Sequence, residues 1–466
     1  MGGIDQDGHG ALALLSPSSV TLHDQRTDIA IRTLFTRREL LAAGGTVSCA
    51  AAFPMLTQAA AGSGWSEEQT ARIRDVARDT VATGDVPGVV SLVWHRGNVV
   101  HADAVGLRDV ENRLPMERST IFGIASMSKP VTVVLGLTLL EEGKLRLDDP
   151  ITRWLPEFGE MRVLRRPDGP LDDTYPAPRV ITVEDLMTHR SGLGYGFIET
   201  GPLGRALFSR FDMGVSSPLT PDAWLASLAE LPLAYAPGER FNYGHSIDVL
   251  GFLAARAAGT SLRNALRQRV LEPLGMVDTD FWVPPAKRSR MAQIYSSSGA
   301  GQFARTNIGQ FTADEPAAYA SGGQGLLSTA DDYLTFARML LGKGTVNRVR
   351  LLKPETVKLM TTNRLTDAQR EVPFLGRPFF KGQGLGLGMS VVMDPQFAGV
   401  GARGSFGWPG GFGGWWQADP ENELVLLWLQ ECVPGAPLQG AGGPPRLPGA
   451  FAKGEFQKQA YAALPR

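Results

Sequence analysis

The chain has 466 residues, of which 43% are hydrophobic and 20% charged, and its formal net charge is -1. That length and apolar content suffice for at least one large core and allow two or three domains. A near-zero charge without any long basic or acidic block excludes the electrostatic footprint of a nucleic-acid or anionic-membrane binder, and leaves a small neutral or mildly charged molecule as the expected partner.

Residues 1–30 are polar and rich in Gly, Asp and Ser, and are expected to be disordered or to follow from a misplaced start codon. "TRRELL" at 36–41 then leads into a small, apolar stretch without charge. Paired arginines, a weakly hydrophobic run and alanines at 59–61 resemble a bacterial twin-arginine export signal with its cleavage site, so the mature chain is expected to be periplasmic or secreted. Pro54, Gln58 and the glycines make the stretch a poor membrane span, and "TVSC" lacks the leucine that lipid attachment at Cys49 would want. Residues 1–61 are therefore set apart from a domain covering 62–466.

From Trp65, "WSEEQTARIRDVARDTVAT" predicts a helix with Ser66 as N-cap, ending at Gly84. "GVVSLVWHRGNVVHADAVG" reads as a hairpin broken at Arg96-Gly97-Asn98. The middle, about 126–320, is dominated by helical patterns and proline-bearing loops. "GSFGWPGGFGGWWQADP" and "ELVLLWLQ" return to strands, and a final helix follows near 451–464. Strands at both ends enclosing a helical middle predict a fold of the α/β class, α+β type: one sheet flanked by helices, with an inserted mainly helical subdomain and a ligand cleft between the two.

"GIASMSK" at 123–129 places Ser126 and Lys129 three residues apart, ahead of the apolar run 130–140. On a helix these positions share a face, about 5 to 6 Å apart at Cβ, so the amine can reach the hydroxyl. Pro130 suits a first helical turn and Gly143 a left-handed C-cap, which puts Ser126 at or near the helix N-terminus. There the helix dipole favours a developing oxyanion and disfavours a charged lysine. Lowering the lysine from about 10.4 to about 7.5 requires about 4 kcal/mol, within what burial supplies. A chance lysine at an ordinary helix start yields the same letters.

Two further stretches stand out. "YAPGERFNYGHS" at 235–246 presents Tyr243 just before another apolar helix, either as a proton shuttle, provided a nearby cation lowers its pKa, or as an aromatic loop anchor. "FGWPGGFGG" at 406–414 places glycines in a strand, which is explained if a ligand lies against the strand edge. Tyr195, Phe197, Trp408 and Phe412 are candidate pocket aromatics. "GHSID" lacks the final glycine of a nucleophile elbow, so Ser246 is set aside; His189 is assigned to loop structure and Cys432 to packing. Six histidines without H-x-x-x-H or CxxC give no metal site, two cysteines give no disulfide framework, and no cofactor is implied.

Together with "FGIASMSKPVT", "LEEGKLRLDDPITRWLPEF", "ITVEDLMTHRSGL", "EPLGMVDTDFWVP" and "SGGQGLLSTADDYLTFARMLL", these elements resemble the serine β-lactamase and penicillin-binding-protein superfamily, over about 66–464, and more narrowly its class C-like branch with the family VIII carboxylesterases. The resemblance implies an antiparallel sheet flanked by helices, Ser126 as acylated nucleophile, Lys129 as general base and Tyr243 as proton relay. It also implies an oxyanion hole from the backbone N–H groups of Ser126 and Gly411, with Trp408, Gly410 and His245 at family substrate positions; Tyr195, one of the candidate pocket aromatics, is added to them as an expected substrate contact. His245 stands where the family pattern has asparagine, and Trp408-Pro409 removes the cation and hydroxyl that would hold a β-lactam carboxylate. An uncharged ester or lactone is thus the expected substrate, against β-lactamase or D-amino-acid peptidase activity on amides and against a non-catalytic cell-envelope binding protein of the same fold.

Overall fold

The structure is a computed structural model that describes residues 64–299, 301–308, 315–399, 401–435 and 447–465. The N-terminal stretch and export signal expected over 1–61 lie outside the described residues.

The first helix, α1 (Glu67–Ala82), starts as predicted at Ser66, whose side chain accepts from Gln69 N while Gln69 returns a bond to the Ser66 backbone. This is a reciprocal cap, with glutamine as the partner. Strands β1 (Gly88–His95) and β2 (Asn98–Asp109) follow as a hairpin. Arg96 and Gly97 turn it with φ of 45° and 93°, a pair of left-handed residues whose twist matches that of the flanking strands.

The main sheet has eight strands. Besides β1, β2 and the short β3 (Leu114–Pro115), it contains β4 (Gln383–Leu385), β5 (Ser390–Val392), β6 (Phe406–Pro409), β7 (Trp415–Asp419) and β8 (Leu424–Leu429). Their spatial order is β4-β5-β6-β7-β8-β1-β2-β3, and every neighbouring pair is antiparallel. The start and end of the domain meet in the middle of this sheet, where Val90 lies opposite Leu429 and His95 opposite Leu424.

Alternation along β1 and β8 explains the layers. Val90, Leu92, Leu427 and Leu429 face the larger core, which is shared with the helical middle; Val93, Leu424, Leu426 and Trp428 face a smaller core. Ile73 and Ala77 of α1, with Phe456 and Ala460 of the C-terminal helix α5 (Ala450–Ala462), complete the smaller one.

Between β3 and β4 lie the helices that position the site: α2 (Ser128–Glu141), α3 (Ser246–Ala258) and α4 (Ala330–Leu341). The main sheet resumes only at Gln383, so α4 and Pro354–Met360 also precede its return, beyond the boundary near 320 drawn from sequence. Residues 128–139 of α2 are all buried, which is the behaviour of a central helix apolar on every side. Among the described residues no helix is long and apolar enough to cross a membrane.

Candidate active site

Ser126 sits in a tight turn, Ala125–Met127, that runs directly into α2. Ala125 has φ of 43°, a conformation that an L-residue keeps only when its surroundings impose it. These surroundings are visible: Ile124 N donates to Leu326 O at 2.9 Å, and Gly123 N donates to a Glu431 carboxyl oxygen. Pro130 lies in the first turn of α2 and Gly143, with φ of 71°, follows its end, both as the sequence predicts.

Lys129, on the same helix face, is fully buried. Its Nζ lies 3.1 Å from Ser126 Oγ and donates to Gly323 O at 2.9 Å. Burial lowers its pKa to about 7, opposed by the charge of Asp248. Near neutrality the amine is therefore available as an acceptor, and the Ser126 hydroxyl can donate to it.

Tyr243 O–H donates to Ser126 Oγ at 2.8 Å, across 117 residues of sequence. Its ring lies 4.5 Å from Lys129 Nζ. The lowering by a nearby cation on which the proton-shuttle reading depends is not seen: burial, aided by the charge of Asp248, pushes the Tyr243 pKa up and outweighs the bonds from Ser126 and Trp408. Tyr243 is thus a protonated donor. His189, assigned to loop structure, carries the tyrosine loop: its carbonyl accepts from Asn242 N at 2.7 Å, its Nδ1 from Gly244 N at 3.4 Å, and its ring packs 4.6 Å from that of Tyr243.

The residue missed in the sequence is Asp248, in the first turn of α3 and 0% exposed. Burial would raise its pKa, but the hydrogen bond and charge of His245, the charge of Lys129 and the Ser321 hydroxyl more than offset this and hold it below the ordinary carboxylate range. Oδ1 accepts from Ser321 Oγ at 2.5 Å and Gly323 N at 2.9 Å; Oδ2 accepts from Tyr195 OH at 3.1 Å and faces His245 Nδ1 at 3.2 Å. The carboxylate therefore fixes Gly323 through its N–H, and the carbonyl of the same residue holds Lys129. Thr132 Oγ1 donates to Gly322 O at 2.7 Å and Ser128 Oγ accepts from Leu326 N at 3.1 Å, which locks this segment in register along α2.

Tyr195 and His245 are corrected accordingly. Both are buried with polar atoms turned to Asp248, and both rings pack in an aromatic cluster with Tyr243, Phe211 and Trp224, so they support the site from behind instead of facing a substrate. An Asp248→Asn change would turn an N–H toward at least one of these donors. An unpaired buried donor costs about 1–3 kcal/mol, so a drop of that size is expected in urea unfolding, with no drop counting against the network.

The glycines of 406–414 are also relocated. Only Gly407 lies within β6; Gly410 to Gly414 form the turn after it, closed by Gly413 N to Gly410 O at 3.0 Å and Gly410 N to Gly414 O at 2.8 Å. A Cβ on Gly410 would meet Ile124 O at 2.6 Å, and one on Gly411 would lie 3.9 Å from the Ala125 side chain. The close backbone approach inferred from glycine content is therefore to the turn that carries Ser126. Trp408 is buried, its ring 5.9 Å from Tyr243, and Phe374 stands 4.8 Å from Tyr243 and 6.2 Å from Trp408. Among the described residues no group of three or more His, Cys, Asp or Glu converges in a way that could hold a metal ion.

The profile of the family described as Beta-lactamase matches residues 73–441. The chain belongs to the beta-lactamase family. Its relatives in the family include Protein Rv1367c of Mycobacterium tuberculosis, 45% identical over 395 residues that span 83% of this chain and 97% of that protein. They also include the esterase EstB of Burkholderia gladioli, 31% identical over 77% of this chain and 88% of its own length. Among solved structures, EstCE1, described as a hydrolase with promiscuous acyltransferase activity, superposes with a TM-score of 0.69 at 27% identity, covering 84% of this chain and 99% of its own. This beta-lactamase-family chain therefore has the fold of hydrolases and acyltransferases, with esterases among its relatives.

Proposed function

We propose that this chain is a serine hydrolase that cleaves uncharged carboxylic esters through an acyl-enzyme on Ser126. The observation that carries the reading is the meeting of two groups at Ser126 Oγ: a phenol at 2.8 Å and a buried amine at 3.1 Å whose pKa lies at about 7.

As Oγ attacks the ester carbonyl, its proton passes to Lys129 Nζ. Negative charge grows on the carbonyl oxygen, which the N–H groups of Ser126 and Gly411 receive; each such donor is worth about 3 to 4 kcal/mol in the transition state. Collapse expels an alkoxide. Tyr243, with its raised pKa, yields a proton only to a base that strong, and Lys129 then returns the Ser126 proton to Tyr243. Water repeats the sequence on the acyl-enzyme and releases the acid.

The substrate class follows from what borders the serine. Trp408 and Pro409 offer no cation to a carboxylate, and Phe374 and Trp408 present ring faces beside Tyr243. Turnover of p-nitrophenyl acetate and butyrate is expected to exceed that of nitrocefin by about 100-fold or more, as a missing charge-assisted contact and a poor fit combine. A fluorophosphonate probe is expected on the Ser126 peptide by mass spectrometry. Nitrocefin rates equal to the ester rates, or a probe that leaves Ser126 unlabelled, would sink the reading.

A further inference from the structure

We propose that Lys453, on the helix α5 behind the sheet, is a positioning residue for the turn that presents Gly411 as oxyanion donor. The inference rests on the acyl-enzyme reading and assigns the terminal helix a part in it.

The turn is pinned from outside through its carbonyls. Phe412 O accepts from Cys432 N at 2.9 Å, and Gly413 O accepts from Lys453 Nζ at 3.0 Å, a bond that links residues 40 apart. With both carbonyls held and the turn closed between Gly410 and Gly413, the peptide of Gly411 has little freedom, and it lies beside Ala125. The ammonium is delivered from a firm base. Gly449 N, at the start of α5, donates to Asp85 Oδ2 at 2.9 Å; Gln430 Nε2 donates to Pro448 O at 3.0 Å; Phe456 packs 5.4 Å from Trp428.

Lys453 also borders a groove of about 290 Å³ between α5 and strands β6 and β7, and is the one charged side chain among the described residues lining it. The groups around it are accounted for. Asp85 faces it from the α1–β1 connection and favours its charge. Burial raises the Glu431 pKa well above the ordinary carboxylate range and pushes the Cys432 thiol up to about 12. Glu455 and Lys458, on the same helix, pair with each other at 3.8 Å, and Pro409, Trp415 and Gln417 on the sheet are uncharged.

Burial lowers the Lys453 pKa to about 8, with Asp85 opposing. A hydrogen bond from an ammonium is roughly twice as strong as one from a neutral amine. The clamp on Gly413 therefore slackens as pH rises through about 8, above the pH near 7 where Lys129 becomes a base. Tyr243, with its pKa pushed upward, does not titrate there. A bell-shaped profile follows, with Lys129 on its acid side and Lys453 on its alkaline side.

The test uses the full chain, p-nitrophenyl butyrate from pH 6 to 10, and the rate of fluorophosphonate labelling. Lys453→Met is expected to lower kcat about 10-fold, less than the loss of a whole oxyanion donor, with KM within about twofold and the alkaline fall flattened. Lys453→Arg, always charged, is expected to keep most of the activity and move the fall upward; Asp85→Asn is expected to move it downward. Wild-type kcat and an unmoved fall in Lys453→Met, or equal damage by Met and Arg, would overturn the proposal. Should Lys453→Met fail to fold, an alkaline fall unmoved in both Lys453→Arg and Asp85→Asn overturns it. A wild-type protein without esterase activity or Ser126 labelling fails differently, since that removes the acyl-enzyme reading itself.

Discussion

Replacing Lys129 by methionine is expected to lower kcat by about 10³-fold or more while making the protein more stable at pH 7 than at pH 10, relative to wild type. The activity loss follows from removal of the one amine that reaches Ser126 Oγ among the described residues. The stability change follows from linkage. An unfolded lysine keeps its proton to about 10.5, the folded one only to about 7. Between those values the unfolded state binds more protons, so wild-type stability rises with pH across the window and is lost as pH falls from 10.5 to 7, by about 5 kcal/mol in all. Methionine has nothing to protonate and escapes this. It also leaves Gly323 O without its donor, but that penalty is the same at every pH. The measurement is the difference in urea midpoints between mutant and wild type at pH 7 and pH 10; a difference that stays constant would show that Lys129 is not held neutral by burial. Lys129→Arg, whose guanidinium keeps its proton, is expected to be as inactive as methionine without its gain in stability.

Replacing Ser126 by alanine is expected to remove ester turnover by on the order of 10⁴-fold or more, since its hydroxyl is the one that bonds both the amine and the phenol among the described residues. The change deletes one oxygen from a side chain that is only 7% exposed, and the amine keeps its bond to Gly323 O and its place over the Tyr243 ring. Folding should therefore survive, as judged by an unchanged circular dichroism spectrum, and labelling at this peptide should vanish. Butyrate ester turnover near the wild-type rate in a folded Ser126→Ala protein would remove the nucleophile from the mechanism altogether.

What could be read from the letters, and what could not, divides along a physical line. Ser126 and Lys129 meet because they are three residues apart on one helix, and that spacing is local information. The β1–β8 pairing was anticipated because apolar strand patterns at both ends of the domain have only each other to join. Asp248 went unnoticed because an acid in a first helical turn ordinarily serves the helix dipole; only the donors of Tyr195, Ser321 and Gly323, converging on it with the His245 ring, reveal its work. Gly323 was illegible for a deeper reason, since it acts through a carbonyl that every residue has. Tyr195 and His245 were given to the substrate because aromatic and polar letters near a motif look like contacts, whereas their burial turns them inward. The glycines after Pro409 carried the right message about close approach and the wrong one about strand.

The meeting of β1 with β8 has a consequence for how the molecule comes into being. Contacts between residues 90 and 429 give the fold a high contact order, which slows its formation. While the polypeptide is still emerging from the ribosome, β1 presents an open edge and the turn carrying Gly411 does not yet exist. Residue 126 is therefore translated early and gains its neighbours of the Gly410–Gly414 turn late, once β6, β7 and β8 have been made and the sheet has closed.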